Sequence, residues 1–380
     1  MKKIYYIAVV FAILFLAGCG DGIDLPGVNV ETDLNKIPLP DNNVNLEQVE
    51  LKPSTEPMLH EGLHTEEDFQ RIRDKKAAGE EPWVSAYQLL VESQFSQKTA
   101  DTYPTEWIKR GVSGDENYMN AARGATIAYQ QALRWKIEQD DEYAAKAVEN
   151  LNKWVQTCVG VTGNTNLSLA AGLYGYEFAI AGELLRDYEG WDRADFAAFQ
   201  NWLLKVFYPA NDDFLKRHHD TNPLHYWANW CLCNIAAKMA IGIVTDRRDI
   251  YNEGIGHLQT GDTNGRLRRA IYHDYAPDYN FAQWQESGRD QGHTLMCVGL
   301  MGIICQLAWS QGDDFFAYDD NLFMRACEYA ACCNYTNETV PYTTYIWQKQ
   351  SQWGYPIPEE QTTLGGGKWI KRATVSYTHL

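Results

Sequence analysis

The chain has 380 residues, which suits one large domain or two ordinary ones, and its 45% hydrophobic and 22% charged content excludes a wholly disordered chain. Lys and Arg number 33 against 50 Asp and Glu, a net charge of −17. That balance excludes a general nucleic-acid binder and a polybasic membrane-surface protein, both of which need a basic footprint.

The first elements are an address. Lys2 and Lys3 precede an apolar run from Ile4 to Leu16, followed by Ala17-Gly18-Cys19. A basic start, an apolar stretch shorter than the roughly 20 residues of a membrane span, and small residues before a cut site predict a secretory signal over residues 1–19. The Cys at the cut makes it resemble a bacterial lipoprotein signal, with Cys19 as the lipidated N-terminus. Such a protein is periplasmic or displayed at the cell surface. Residues 20–58 are rich in Pro, Asn, Asp and Gly without periodicity, and predict a flexible tether.

Helices then follow one another. Thr65-Glu66-Glu67-Asp68 predicts a capped start with acids in the first turn. Glu81-Pro82-Trp83 predicts a second helix start, with Pro at its first position. Helical periodicity predicts further helices over 117–138, 141–157, 166–188, 192–207, 225–244, 246–259, 291–311 and 320–335. Short separators make consecutive helices antiparallel neighbours. Segment 291–311 is apolar nearly all round, which predicts a buried inner helix. Few runs alternate as strands do. The expected fold is therefore all-α, an incomplete (α/α)n toroid of antiparallel helical hairpins over residues 59–350. Residues 351–380 are expected to be an irregular tail. Val375 to Leu380 reads as a translated sequencing adapter, so a truncated reading frame is expected. Eight Cys beyond Cys19 sit mostly in apolar helical runs and predict buried thiols, with room for one or two bridges. No spacing suggests a metal site, and no cofactor is expected. His218-His219 is an adjacent pair without spaced partners, expected to be solvated.

Two stretches carry chemistry. Asn222-Pro-Leu-His-Tyr-Trp-Ala-Asn-Trp230 packs two Asn, a His, a Tyr and two Trp where a loop enters a helix. Core anchoring is the alternative reading of Trp227 and Trp230. Gln283 to Thr294 is dense in polar groups directly before the most apolar helix. If helical, Glu286, Arg289, Asp290 and His293 share one face. A charged stripe at the mouth of a buried helix must be paired or functional, and a structural Glu–Arg–Asp network is the alternative. Arg266, Arg268, Arg269, Tyr272 and His273 form a local basic cluster between the two. Were that cluster to share a cleft with His225 and Arg289, the acidic charge would lie on the outer face.

Four motifs carry a resemblance. His60-Glu-Gly-Leu-His-Thr-Glu-Glu-Asp-Phe69 running on to Tyr87, Ala171-Gly-Leu-Tyr-Gly-Tyr-Glu-Phe178, His225-Tyr-Trp-Ala-Asn-Trp230 and Gln285-Glu-Ser-Gly-Arg-Asp-Gln-Gly-His-Thr294 resemble the alginate lyase family of helical polysaccharide lyases. The last is the most specific. The resemblance spans roughly residues 59–350. It implies an (α/α)n toroid and β-elimination on a uronic-acid polymer, so the expected partner is an anionic polysaccharide. Neutralising the uronate carboxylate makes the neighbouring C5 proton removable, which calls for Asn, His and Arg donors. A Tyr or His then serves as base and as acid. Carried over, the family's Asn-His pair and arginine fall on Asn222, His225 and Arg289. The sequence departs in two places: Pro223 and Leu224 separate Asn222 from His225, and Met296 stands where the family has a Tyr seven residues after its Arg. His225, His293, Tyr226 and Tyr272 are the candidates for proton transfer. Trp227, Trp230, Trp284, Glu286, Gln291 and Arg269 are the candidates for substrate contact. Two other functions compete: a non-catalytic glycan-binding surface lipoprotein, and a helical glycoside hydrolase with two carboxylates about 5–10 Å apart.

Overall fold

The structure, a computed structural model, describes residues 54–335, 339–351 and 354–366. The predicted signal, Cys19, the tether up to residue 53 and residues 367–380 lie outside the described residues.

Long helices dominate: α1 (Glu66–Ala77), α2 (Trp83–Glu92), α3 (Tyr118–Glu138), α4 (Asp141–Thr157), α5 (Leu167–Leu184), α6 (Arg193–Val206), α7 (Tyr208–Arg217), α8 (Ala228–Val244), α9 (Arg248–Thr260), α10 (Gln291–Ser310) and α11 (Tyr318–Tyr335). Their starts follow local chemistry. Thr65 and Asp68 form a reciprocal capping box on α1, Asp140 caps α4 and Asp192 caps α6. Helices α3, α5, α8 and α10 pack side by side as an inner layer, and α4, α6, α7, α9 and α11 back them from outside. This is the predicted α/α toroid arrangement. The inner α5, α8 and α10 are buried almost all round, as their sequences require. Gly172 lets α5 and α8 close up: a Cβ there would sit 2.5 Å from the Cys233 sulfur. Trp154, Phe178, Trp202 and Phe207 interlock between the layers with ring centroids 5.1–5.9 Å apart. All the described cysteines except Cys327 are buried.

Short strands fix the ends of the inner helices. Strand β1 (Trp107–Arg110), just before α3, pairs in parallel with β2 (Gly160–Gly163), just before α5. The start of α8 is held by the turn that precedes α10, where Gln285 Oε1 accepts from Ala228 N (3.0 Å) and Glu286 Oε1 from Asn229 N (3.0 Å). The N-terminal ends of all four inner helices therefore meet at one mouth. At the opposite end a segment of residues 54–64 runs across the helix C-termini. Leu59 exchanges two hydrogen bonds with Gln311 after α10, His60 meets Asp246 after α8, and Gly62 packs on Glu183 of α5.

The structure corrects several expectations. Helix α8 begins at Ala228 and not at residue 225. Asn222 Oδ1 accepts from Leu224 N, and Asn264 Nδ2 donates to the carbonyls of Leu224 and Tyr226, so this stretch is held as a loop. Glu286, Arg289, Asp290 and His293 do not form a helical stripe. Strand β3 (Ile271–Asp274) pairs antiparallel with β4 (Ala282–Trp284), a turn follows, and Asp290 is the cap from which α10 starts. Residues 351–366 are not simply an irregular tail: β5 (Tyr345–Gln350) and β6 (Pro356–Gln361) form an antiparallel hairpin. Of the supposedly solvated pair, His218 is buried and His219 half-buried. Burial takes His218 down to about 4, so it stays neutral.

Candidate active site

The mouth collects N–H-rich helix ends, and such ends favour anions. The side chains placed there come from three elements: the loop before α8, the turn before α10, and the β5–β6 hairpin.

The turn before α10 is built around Glu286, which is fully buried. Its Oε1 accepts from the first turn of α8 and from the Asn229 amide, and its Oε2 meets Arg289 Nη1 at 3.2 Å. Glu286 thus locks two inner helices together and holds Arg289 in place. Arg289 stays partly exposed, with its guanidinium 5.2 Å above the Trp227 ring. Next along, Asp290 accepts from His293 N (2.8 Å) and from His293 Nδ1 (2.6 Å). Burial pushes the Asp290 carboxyl up, but the hydrogen bonds from His293 outweigh it and hold it below its usual range. An ionised carboxylate on Nδ1 fixes His293 with its proton on that nitrogen and its acceptor on Nε2.

Across from this turn, His225 lies with Tyr226 in ring contact at 4.8 Å. Tyr226 is buried among Phe214, Trp230 and His219. Burial raises its pKa, partly opposed by a Thr165 hydrogen bond, so its hydroxyl keeps its proton. Trp347 of β5 slots in here, stacked 4.3 Å from Trp227 and 6.2 Å from His225. Arg289, Trp227, Trp347 and His225 thus form one continuous stack that joins the two predicted stretches. Asn222 is at the same place, its Nδ2 donating to Gln348 Oε1 (2.9 Å).

Other predicted residues are elsewhere in the fold. Trp284 is fully buried, donates to the Ala326 carbonyl and packs edge-on to Phe323. Gln291 is buried and bridges Asn334 to the Ser287 and Gly365 carbonyls. With Glu286 these are framework residues, out of reach of a sugar, because each carries its full share of internal bonds. Tyr272 donates to the Thr343 carbonyl at 2.6 Å and packs on Tyr345, which commits its hydroxyl to the hairpin base. Trp230 is half-buried against Phe214 and Tyr226. The basic cluster divides. Arg268 pairs with Asp319 and faces α11, whereas Arg269 remains beside Arg266, its guanidinium pKa lowered by burial and by that neighbour. The Glu286–Asp290 pair lacks the glycosidase arrangement, since one carboxylate is buried in bonds and the other holds His293.

His219, Arg110 and the hairpin residues were missed. His219, set aside as solvated, contacts Tyr226 and shares a hydrogen bond with Ser168 Oγ at 3.0 Å. Arg110, at the end of β1, lies 4.6 Å over the Tyr118 ring, which stacks on Tyr174. The hairpin residues Trp347, Gln348 and Gln350 had one available signal, the Tyr345-Ile-Trp-Gln run before Gly354 and Pro356.

Among the described residues no group of three or more His, Cys, Asp or Glu is placed to hold a metal ion. Comparison with known proteins gives a consistent picture. The family model described as alginate lyase matches residues 72–338. No curated protein sequence matches. The solved structure of alginate lyase A1-III from Sphingomonas species A1 is similar at TM-score 0.52 and 13% identity, covering 73% of this chain and 80% of that one. Two variants of alginate lyase A1-III, each complexed with a tetrasaccharide, are similar at TM-scores of 0.53 and 0.54. The Tyr-to-Phe variant is 15% identical over 73% of this chain and 79% of that one, and the His-to-Ala variant 14% identical over 75% and 82%. At such identities the likeness establishes the fold.

Proposed function

The chain belongs to the alginate lyase family of polysaccharide lyases, and from that premise we propose that it cleaves alginate or a related polyuronate by β-elimination. The observation that carries this reading is the Arg289–Asp290–His293 turn at the start of α10, where a partly exposed guanidinium sits beside a histidine oriented by a carboxylate. Elimination needs both parts. Arg289, with Asn222 and His225, hydrogen-bonds and neutralises the uronate carboxylate, which makes C5–H acidic. His293 takes the C5 proton on Nε2 while Asp290 stabilises the imidazolium that forms. The C5–H electrons become the C4=C5 bond, the C4–O4 bond breaks, and Tyr226 gives its proton to the departing O4. The Arg289–Trp227–Trp347–His225 stack holds the arginine and the histidine in fixed positions at the mouth.

The product's conjugated double bond absorbs at about 235 nm, which a hydrolase cannot produce. Protein lacking residues 1–19, mixed with alginate, glucuronan or glycosaminoglycans, should raise that absorbance. Arg289→Ala and His293→Ala should abolish the rise while leaving the helical circular dichroism unchanged. Glycan binding with no absorbance rise on any polyuronate would replace the lyase with a binding protein.

We further propose that Cys19 is lipidated and anchors the enzyme in the periplasm or at the cell surface. The support is the signal-like sequence of residues 1–19. Cys19→Ala should move the protein from the membrane fraction to the soluble fraction; an unchanged distribution would refute the anchor.

A further inference from the structure

The β5–β6 hairpin lies beyond the residues that the family model matches, yet it bonds directly to His225 and Asn222 in the site. Gln350 N–H donates to His225 Nδ1 at 2.8 Å, and Trp347 Nε1–H donates to the His225 carbonyl at 2.8 Å. Gln350 Oε1 and Gln348 Oε1 accept from the backbone and the side chain of Asn222. The base of the hairpin is fastened independently. Tyr342 donates to the Gln361 carbonyl, Tyr345 to the Gln285 carbonyl, and Gly365 N to the Ser287 carbonyl. Gly288 is required at this join, because a Cβ there would lie 2.5 Å from the Tyr342 hydroxyl.

Such a hairpin could be a strap that blocks the site or a wall that completes it, and the direction of one hydrogen bond separates the two. A backbone N–H can only donate. The nitrogen facing it, His225 Nδ1, must therefore carry the lone pair, and the neutral ring holds its proton on Nε2. His293 has the opposite arrangement, with Nδ1–H held by Asp290. The two histidines of the mouth are thus set in complementary states, one as a donor and one as an acceptor.

Resting on the lyase reading of this site, we propose that the Gln350 backbone N–H is a positioning group that fixes His225 as the Nε2–H tautomer, so that His225 donates a hydrogen bond to the uronate carboxylate and is not the base. Lys349 of β5 and Tyr226 of its own loop are the charged and titratable groups that face the ring. Burial, reinforced by Lys349, lowers the pKa of His225, which keeps it neutral at pH 7. A neutral donor recognises a carboxylate without drawing its own proton into the reaction. Asn222 reaches the same carboxylate by exchanging its bond to Gln348.

The test compares two variants of one residue. Gln350→Ala keeps the N–H, whereas Gln350→Pro removes it. Proline suits the strand backbone, because the preceding residue is already extended, and its Cδ takes the place of the hydrogen and turns the His225 ring off the hairpin. Side-chain nitrogen NMR on histidine-labelled protein reads the tautomer directly, with the His225 signal assigned by its loss in His225→Gln. Wild type and Gln350→Ala should show the Nε2–H form. Gln350→Pro should show a mixture, and its kcat should be about 10- to 100-fold below that of Gln350→Ala, the usual cost of losing a group that orients a histidine. An Nδ1–H signal in the wild type would overturn the proposal. So would a Gln350→Pro variant with the tautomer and rate of Gln350→Ala, or one faster than the wild type, which would make the hairpin a strap. The NMR arm needs no turnover, so it decides the tautomer even if the lyase reading fails.

Discussion

Glu286→Gln tests the frame that holds the arginine. Glu286 Oε1 accepts two bonds from Asn229, and Oε2 faces Arg289 Nη1 at 3.2 Å. Glutamine keeps one oxygen for the Asn229 bonds and places an NH2 against the guanidinium, a donor against a donor. Removing one partner of a fully buried pair costs about 3–5 kcal/mol. The Arg289 side chain is 28% exposed and can turn to water, which returns part of that. A single hydrogen bond to a charged group contributes about 1.5–3 kcal/mol. The expected loss is therefore about 2–3 kcal/mol, read from urea unfolding followed by circular dichroism. The freed guanidinium should also raise KM for the polyuronate, since it no longer stays over Trp227. Unfolding curves that coincide within about 0.5 kcal/mol, the range of ordinary surface substitutions, would refute the argument that Glu286 ties α8 to the turn before α10.

Two further outcomes are expected. Trp284→Ala should lose about 3–5 kcal/mol of stability, as removal of a fully buried ring does, and a fully stable variant would show that Trp284 is not core. Glu177 on α5 is buried, and burial raises its carboxyl to about 8, slightly opposed by Tyr176. Between the ordinary carboxylate range and pH 8 the unfolded chain has released this proton and the folded chain has not. Stability therefore falls as pH rises through that window. Glu177→Gln should flatten this fall and be more stable than wild type at pH 8, with little difference at pH 4; equal pH slopes in urea titrations would refute it.

The inner helices were legible because their apolar residues recur all round, as in Leu295 to Leu307, and α1 was legible because Thr65 to Asp68 is a capping sequence. The turn of Arg289, Asp290 and His293 was legible as polar density before an apolar helix. The division of labour inside it was not. Glu286 and Asp290 are both acids four residues apart, yet one is sealed in the framework and the other orients a histidine, a difference set by α8 packing from a distant part of the chain. Trp227 and Trp284 show the same limit: equal side chains, one in the stack at the mouth and one in the core. The place of the hairpin in the site was illegible for a related reason. Its pairing with His225 joins residues 125 apart, and no local pattern in either segment encodes the contact.

The segment of residues 54–64 gives the molecule a direction. It lies across the C-terminal ends of the inner helices, where Arg248 holds the Glu56 and Pro57 carbonyls and Arg186 holds those of Ile243 and Val244. The described chain therefore begins at the pole opposite the mouth. If Cys19 is lipidated as proposed, the chain from the anchor enters the folded domain at the pole away from the mouth, and the mouth is left to the loop before α8, the turn before α10 and the hairpin.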